Sequence, residues 1–301
     1  MSATAASGRA ERRGGTPAAV VMVLAAVGSL QFGAAFAATL FDELGPGGAA
    51  FLRLALAAVI LMALWRPRLR GRSAADLRVA VAFGLVLGGM NWAIYESFSR
   101  IPLGIAVTIE FVGPLGVAVA GSRRALDLLW VVLAAAGILL LADRGGGGGL
   151  DPLGIVLALV AGCCWAAYIL LSARTGRRFP GGHGLALAMV VGALLTLPAG
   201  VVQAGDALLD PRLLAGGLVV AIASSVLPYS LELEALRRLR AAVFGVLMSL
   251  EPAIAALAGL VVLGQALGAG ELVAIALVLA ASAGATLTPR RPDAGAAEPV
   301  V

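Results

Sequence analysis

Long apolar runs separated by short polar segments repeat along nearly the whole chain. A helix that crosses a bilayer needs about 20 mainly apolar residues. That length marks ten spans, at roughly 17–40, 46–65, 78–98, 101–121, 126–142, 152–172, 183–203, 211–231, 241–263 and 270–288. The pattern predicts an all-α integral membrane protein with ten transmembrane helices, the fifth of them short. Arg9, Arg12 and Arg13 before the first run, and Ala35-Phe36-Ala37 near its end, are also features of a cleavable secretory signal. The run is long for that purpose and carries Gln31, so a retained helix is the expectation.

The polar segments are unequal in charge. With a cytoplasmic N-terminus, the inner segments hold Arg9, Arg12, Arg13, Arg66, Arg68, Arg70, Arg72, Arg78, Arg123, Arg124, Arg174, Arg177, Arg178, Arg237, Arg238, Arg240, Arg290 and Arg291. The outer segments hold only Arg100, Arg144 and Arg212, and Arg53 falls inside a span. Eighteen against three is a strong bias. Basic residues collect on the cytoplasmic side of membrane proteins, so both termini are expected there.

The stretch "DRGGGGGLDP" (143–152) leaves five spans on either side. An odd number inverts the second set relative to the first. The expected organisation is a cytoplasmic tail 1–16, a first five-helix repeat 17–144, a glycine-rich linker 145–151, a second repeat 152–288 and a cytoplasmic tail 289–301. "GPLGVAVAG" (113–121) aligns with "EPAIAALAG" (251–259), pairing Pro114 with Pro252 and Gly121 with Gly259. The starts of the halves, 16–29 and 151–164, match less closely.

Proline-interrupted helices at corresponding places in inverted halves point to a transporter's binding site near the midplane. Pro114 has no N–H, so the carbonyl of Glu110 loses its helical partner, and Pro252 does the same to Met248. Prolines in membrane helices also act as simple kinks. The carboxylates beside them, Glu110 and Glu251, favour function, because a charge at the bilayer centre costs about 3 kcal/mol or more. Glu110 is the tenth residue of its 21-residue span.

Composition narrows the class. The 301 residues are 60% hydrophobic and 13% charged, with mean hydropathy +0.99, which excludes a soluble domain. A net charge of +5 could mark a nucleic-acid binder, but the arginines are scattered in short segments and lysine is absent. Cys163 and Cys164 are neighbours on one helix and diverge by about 100°, so neither a disulfide nor a metal site is expected. His183, after Pro180-Gly181-Gly182, reads as a packing residue. No HExxH, GxSxG or P-loop motif occurs, and the glycine run between Asp143 and Asp151 lacks the order of a calcium loop. The expectation is a non-enzyme without cofactor or metal. A passive channel is the alternative, and an integral-membrane enzyme a remoter one.

Several stretches are specific. "LGGMNWAIY" (87–95), "IPLGIAVTIEFVGPLGVAVAGSRR" (101–124), "LDPLGIVLALVAGCCWAAYIL" (150–170), "LPYSLELEALRRL" (227–239) and "FGVLMSLEPAIAALAGLVVLG" (244–264) resemble the threonine/homoserine exporter group. That group lies in the EamA branch of the drug/metabolite transporter superfamily. The resemblance runs from Gln31 to Thr288. It implies ten helices in two inverted halves, a bacterial inner-membrane location, export of small amino acids and coupling to proton entry. Two positions depart from the pattern: Ala38 where lysine is frequent, and Gln265 where glutamate is usual.

A zwitterionic amino acid needs donors for its carboxylate and an acceptor for its ammonium. Gly88, Asn91 and Tyr95 form one stripe on the third helix. Trp165 and Tyr168 lie on the sixth, and Ser225, Tyr229 and Glu232 on the eighth. The substrate-binding candidates are therefore Asn91, Tyr95, Trp165, Tyr168 and Tyr229. Asn91 also suits a purely structural bond to a neighbouring helix, and Trp165 an outer aromatic belt. Glu232 is expected in an interfacial ion pair with the arginines at 237–240. Arg53 is expected to pair with a buried carboxylate, ahead of binding the substrate's carboxylate or snorkelling. Glu110 and Glu251 are the candidates for proton coupling or for a counter-ion, and Gly84 with Gly88 for a close helix contact. Expected partners are the bilayer, an amino-acid solute and protons, with a homodimer left open.

Overall fold

The computed structural model describes residues 4–120, 125–142, 150–236, 238–239 and 241–287. Among them the regular structure is entirely helical: α1 Thr4–Ala38, α2 Phe41–Trp65, α3 Ala74–Phe98, α4 Leu103–Glu110, α5 Val112–Ala120, α6 Ala125–Ala142 and α7 Pro152–Arg178. The remainder are α8 His183–Ala204, α9 Pro211–Ala221, α10 Leu227–Leu236, α11 Ala241–Met248, α12 Glu251–Leu263 and α13 Ala269–Leu287. A short 3₁₀ turn follows α8, and a π turn, Ile222–Val226, joins α9 to α10. The linker residues 145–149, the tail 289–301 and Arg123, Arg124, Arg144, Arg237, Arg240, Arg290 and Arg291 lie outside the described residues.

Local chemistry starts several helices. Ser73 accepts from the Asp76 N–H at 3.1 Å while the Asp76 carboxylate accepts from the Ser73 N–H at 3.2 Å, a reciprocal cap on α3. In the second half, Asp151-Pro152 and Asp210-Pro211 open α7 and α9. Each aspartate accepts a backbone N–H, and each proline occupies a position whose N–H has no helical partner.

Nine stretches of the described residues are long and apolar enough to cross a membrane, and Leu128–Leu141 in α6 is the expected short fifth span. The protein is a ten-helix, multi-pass membrane protein. The fourth and ninth spans are each two helices, broken at Phe111 and at Ser249-Leu250. Both breaks fall within one turn before the aligned prolines, Pro114 and Pro252. Two ends differ from expectation. Helix α1 already starts at Thr4, and α2 starts at Phe41, crossing a break at Gly45 (φ 65°, ψ 163°) that only glycine adopts easily.

The helices pair in a two-fold pattern. Helix α2 packs on α8, α6 on α13, and α4 on α12; α3 lies on α7 as α1 lies on α10, and α3 on α8 as α2 on α9. Span by span, exchanging the five-helix halves maps this set onto itself, although within the fourth and ninth spans α4 meets α12 while α5 and α11 are not packed in the same way. Trp65 at the end of α2 meets Gly181 and Gly182 at the start of α8, while Gly48 near the start of α2 meets Ala204 at the end of α8. Corresponding helices are therefore antiparallel, as inversion requires. The Gly84/Gly88 pair is a close contact: a Cβ on Gly88 would sit 2.8 Å from the Gly192 Cα.

The outer face is apolar, with Val59 66%, Leu139 67% and Val202 84% exposed. Acyl chains are the solvent that such a surface fits. Ser73 and Asp206 are exposed, at opposite ends of the antiparallel α2–α8 pair. In a background lacking Cys163 and Cys164, a single cysteine at Ser73 is expected to react with an impermeant maleimide only from the cytoplasm, and one at Asp206 only from outside. The reverse pattern would overturn the orientation read from arginine.

Candidate functional site

A cavity of about 110 Å³ lies where the broken spans meet the other helices. Its wall includes Gln31 of α1, Arg53 of α2, Asn91 and Tyr95 of α3, Glu110 of α4, and Trp165 and Tyr168 of α7. Tyr229 and Glu232 of α10 and Glu251 of α12 complete its polar lining. The cavity thus brings together the five expected substrate-binding residues and Arg53, Glu110 and Glu251. Pro114 and Pro252 stand back from it, at the helix breaks that carry the two carboxylates.

Arg53 is 5% exposed and is held by neutral groups. Its Nε donates to Ser225 Oγ at 3.1 Å, one terminal nitrogen to the Tyr95 hydroxyl at 3.3 Å, and the other to the Ser224 carbonyl at 2.7 Å. The expected pairing with a buried carboxylate is therefore corrected: among the described residues no ion pair joins Arg53 to an acid. The reason is the π turn. Its wide i to i+5 bond, from the Leu227 N–H to the Ile222 carbonyl, accompanies a Ser224 carbonyl and a Ser225 hydroxyl turned to the guanidinium.

The two central carboxylates are in different settings. Glu251 is 1% exposed; one oxygen lies 3.4 Å from the Gln31 Nε2 donor and the other has no hydrogen-bond partner. Glu110 ends α4, and the α7 backbone presses against it. A Cβ on Gly162 would lie 2.7 Å from the Glu110 carbonyl oxygen, and one on Gly113 would lie 1.9 Å from the Gly162 oxygen. Only glycine permits that approach. The carbonyl that Pro114 leaves without a helical donor therefore faces a neighbouring backbone rather than lipid.

Asn91 is 2% exposed and donates to the Leu87 carbonyl of its own helix at 2.9 Å, so its amide is oriented by α3 itself. The Tyr95 ring packs between Phe41 and Phe98. Trp165 stacks edge-on against Phe111, 5.2 Å between centroids, which places it at the helix break rather than in an outer belt. Glu232 also departs from expectation. Of the arginines at 237–240 only Arg238 lies among the described residues, and it pairs with Glu234, whose carboxylate accepts from Arg238 Nε at 2.8 Å along one helical turn. Glu232 faces the cavity instead.

Gln31 and Glu232 are the wall members that sequence reasoning did not place here, and Ser224 is the unforeseen acceptor for Arg53. A polar residue in mid-span was the available signal for Gln31. Three carboxyl groups and one guanidinium thus share a small space in a low-dielectric setting. The guanidinium is bonded to neutral groups and pairs with none of the carboxylates. Protons, or the cationic group of a solute, are what can balance those acids.

Inverted halves with broken helices crossing at a central polar cavity define a membrane transport protein. Residues 152–287 match the EamA-like transporter family. The threonine/homoserine exporters RhtA of Salmonella typhimurium and Escherichia coli are each 46% identical over 277 residues, spanning 90% of this chain and 92% of theirs. The chain belongs to the EamA-like transporter family, within the drug/metabolite transporter superfamily. These relatives are exporters and not enzymes, in line with the missing catalytic motifs. A crystal structure of a protein 20% identical to this chain aligns with a TM-score of 0.59, covering 90% of this chain and 97% of that one, and shares the fold.

Asn91 offers a test of the cavity that spares the packing. Asn91→Ala is expected to weaken solute binding by about 1–3 kcal/mol while the protein still inserts and keeps its melting temperature. Loss of folded protein with unchanged affinity in the surviving fraction would make Asn91 a structural residue.

Proposed function

We propose that the protein exports small amino acids of the threonine and homoserine kind across the bacterial inner membrane, by alternating access coupled to proton entry. The observation that carries this reading is the pairing of opposite, incompletely used partners on one small cavity. A guanidinium has five N–H donors, and Arg53 makes three bonds, all to neutral acceptors. Its remaining donors suit a solute carboxylate, which would be its only charged partner. The unpartnered Glu251 oxygen suits the solute ammonium. Asn91 and the tyrosines then address the side-chain hydroxyl that the named relatives' solutes share. The cavity volume, about 110 Å³, fits a solute of that size better than a drug-sized one.

Proton entry enters through the carboxyl groups. A carboxyl in an apolar setting holds its proton, and an arriving cation favours its release. Glu110, at the end of α4 and flanked by the α7 backbone, is the coupling group in this reading, with Glu251 as the second-half candidate. The two broken spans supply the points at which the halves rock, and the arginine bias supports cytoplasmic termini. A passive channel would use the same polar lining without alternation. Accelerated counterflow of labelled threonine in proteoliposomes, expected here, would be absent for a channel.

Glu110→Gln keeps the size and hydrogen bonding of the side chain but cannot ionise. The expected result is a variant that binds threonine with an affinity within a few-fold of the parent yet loses transport driven by a pH gradient. Lost binding would make Glu110 the ammonium's counter-ion instead. Unchanged pH-driven transport would remove it from both roles.

A further inference from the structure

A second cavity, of about 320 Å³, adjoins the central one and shares Tyr168, Tyr229 and Glu232 with it. It lies at the end of the bundle that carries Ser73, between the last turns of α7 and the first turn of α8. Its wall is chemically mixed. Phe83 and Phe179 join the two tyrosines as aromatic surface, and Glu232 supplies a carboxylate. Thr175, only 3% exposed, is one of its lining residues, and its buried hydroxyl has no hydrogen-bond partner. A buried hydroxyl without a partner costs about 1–3 kcal/mol unless something else satisfies it. Outside that lining, the Arg72 guanidinium lies 4.9 Å from the centre of the Phe179 ring, and Arg178 bonds Asp76 at 2.8 Å.

We propose that this second cavity is a staging site for an ammonium-bearing solute, with Glu232 and the aromatic wall receiving the ammonium and Thr175 a polar atom of the solute. The proposal rests on the reading of the central cavity as the transport site. Two features support it beyond volume. Glu232 belongs to both cavities, so an ammonium held on it at the staging site already lies beside the central cavity, where Glu251 can take it over. Tyr168 and Tyr229 line both cavities together with that carboxylate, and aromatic rings attract a cation. Arg72, held against the Phe179 ring of that wall, favours solutes that enter with their carboxylate trailing. A neutral or purely anionic solute would meet Glu232 with nothing to offer it.

Saturation binding of labelled threonine to the purified full-length protein in nanodiscs tests this. The wild type is expected to bind two molecules per chain. Thr175→Val, which removes the hydroxyl at nearly constant volume, is expected to weaken one of them about tenfold and leave the other. Thr175→Ser restores both, and Arg53→Gln removes the complementary one. A single site that ignores Thr175→Val would overturn the staging site and leave the central reading intact. A second site indifferent to Thr175→Val, or lost together with the first in Arg53→Gln, would also overturn it. No binding at all in the wild type would overturn the central reading and the staging site with it.

Discussion

A guanidinium enclosed by apolar helices is the constraint around which this molecule is arranged. Placing arginine at the centre of a membrane helix costs about 2.5–3.5 kcal/mol even on the mildest scales. Arg53 meets that cost with acceptors from α3 and from the turn between α9 and α10. The turn in turn fixes α1: Ser29 donates to the Ala223 carbonyl at 2.7 Å, and Gly33 leaves room for Ser224. One side chain thereby ties helices from both halves. Because its partners are neutral, the positive charge persists at the cavity wall, where an internal carboxylate would have cancelled it.

The two halves are alike in outline and unlike at the acids. In the internal alignment Glu110 corresponds to Met248, and Glu251 to Gly113. The carboxylate therefore precedes the break in one half and follows it in the other. Packing accounts for the difference. Gly113 and Gly162 touch backbone to backbone, so position 113 has no room for a side chain. In the second half the residue aligned with Gly162 is the buried Val27, so the glycine-to-glycine approach is not repeated there, and the position aligned with Gly113 carries the Glu251 side chain.

Much of this was legible because lipid makes polar atoms expensive. Apolar length alone located the spans, and the rarity of mid-span carboxylates singled out Glu110 and Glu251. The partners of Arg53 were not legible: a π turn inside "VVAIASSVLPY" leaves no mark in hydropathy. Glu232 was misplaced for a related reason. Its nearness in sequence to the arginines is real, but i, i+4 geometry gives that pair to Glu234 and Arg238. The glutamines were undervalued as neutral. Gln203 accepts the Gly47 N–H at 2.6 Å, and Gln265 accepts the Leu103 N–H at 3.0 Å, opening the first turn of α4. An amide oxygen does there what a carboxylate would, which fits the departure from the family pattern at Gln265.

The π turn has an effect that side-chain identity does not record. A wide turn holds one residue more than an α-helical one, and each residue advances a helix by about 100°. Tyr229 and Glu232 face the cavity only because the chain from Ile222 to Val226 has that extra residue. Loss of one codon there would swing both side chains away while every wall residue stayed the same in type. Two members of this family with identical wall residues could thus differ in transport through chain length at this one turn, and a comparison restricted to substitutions would not detect it.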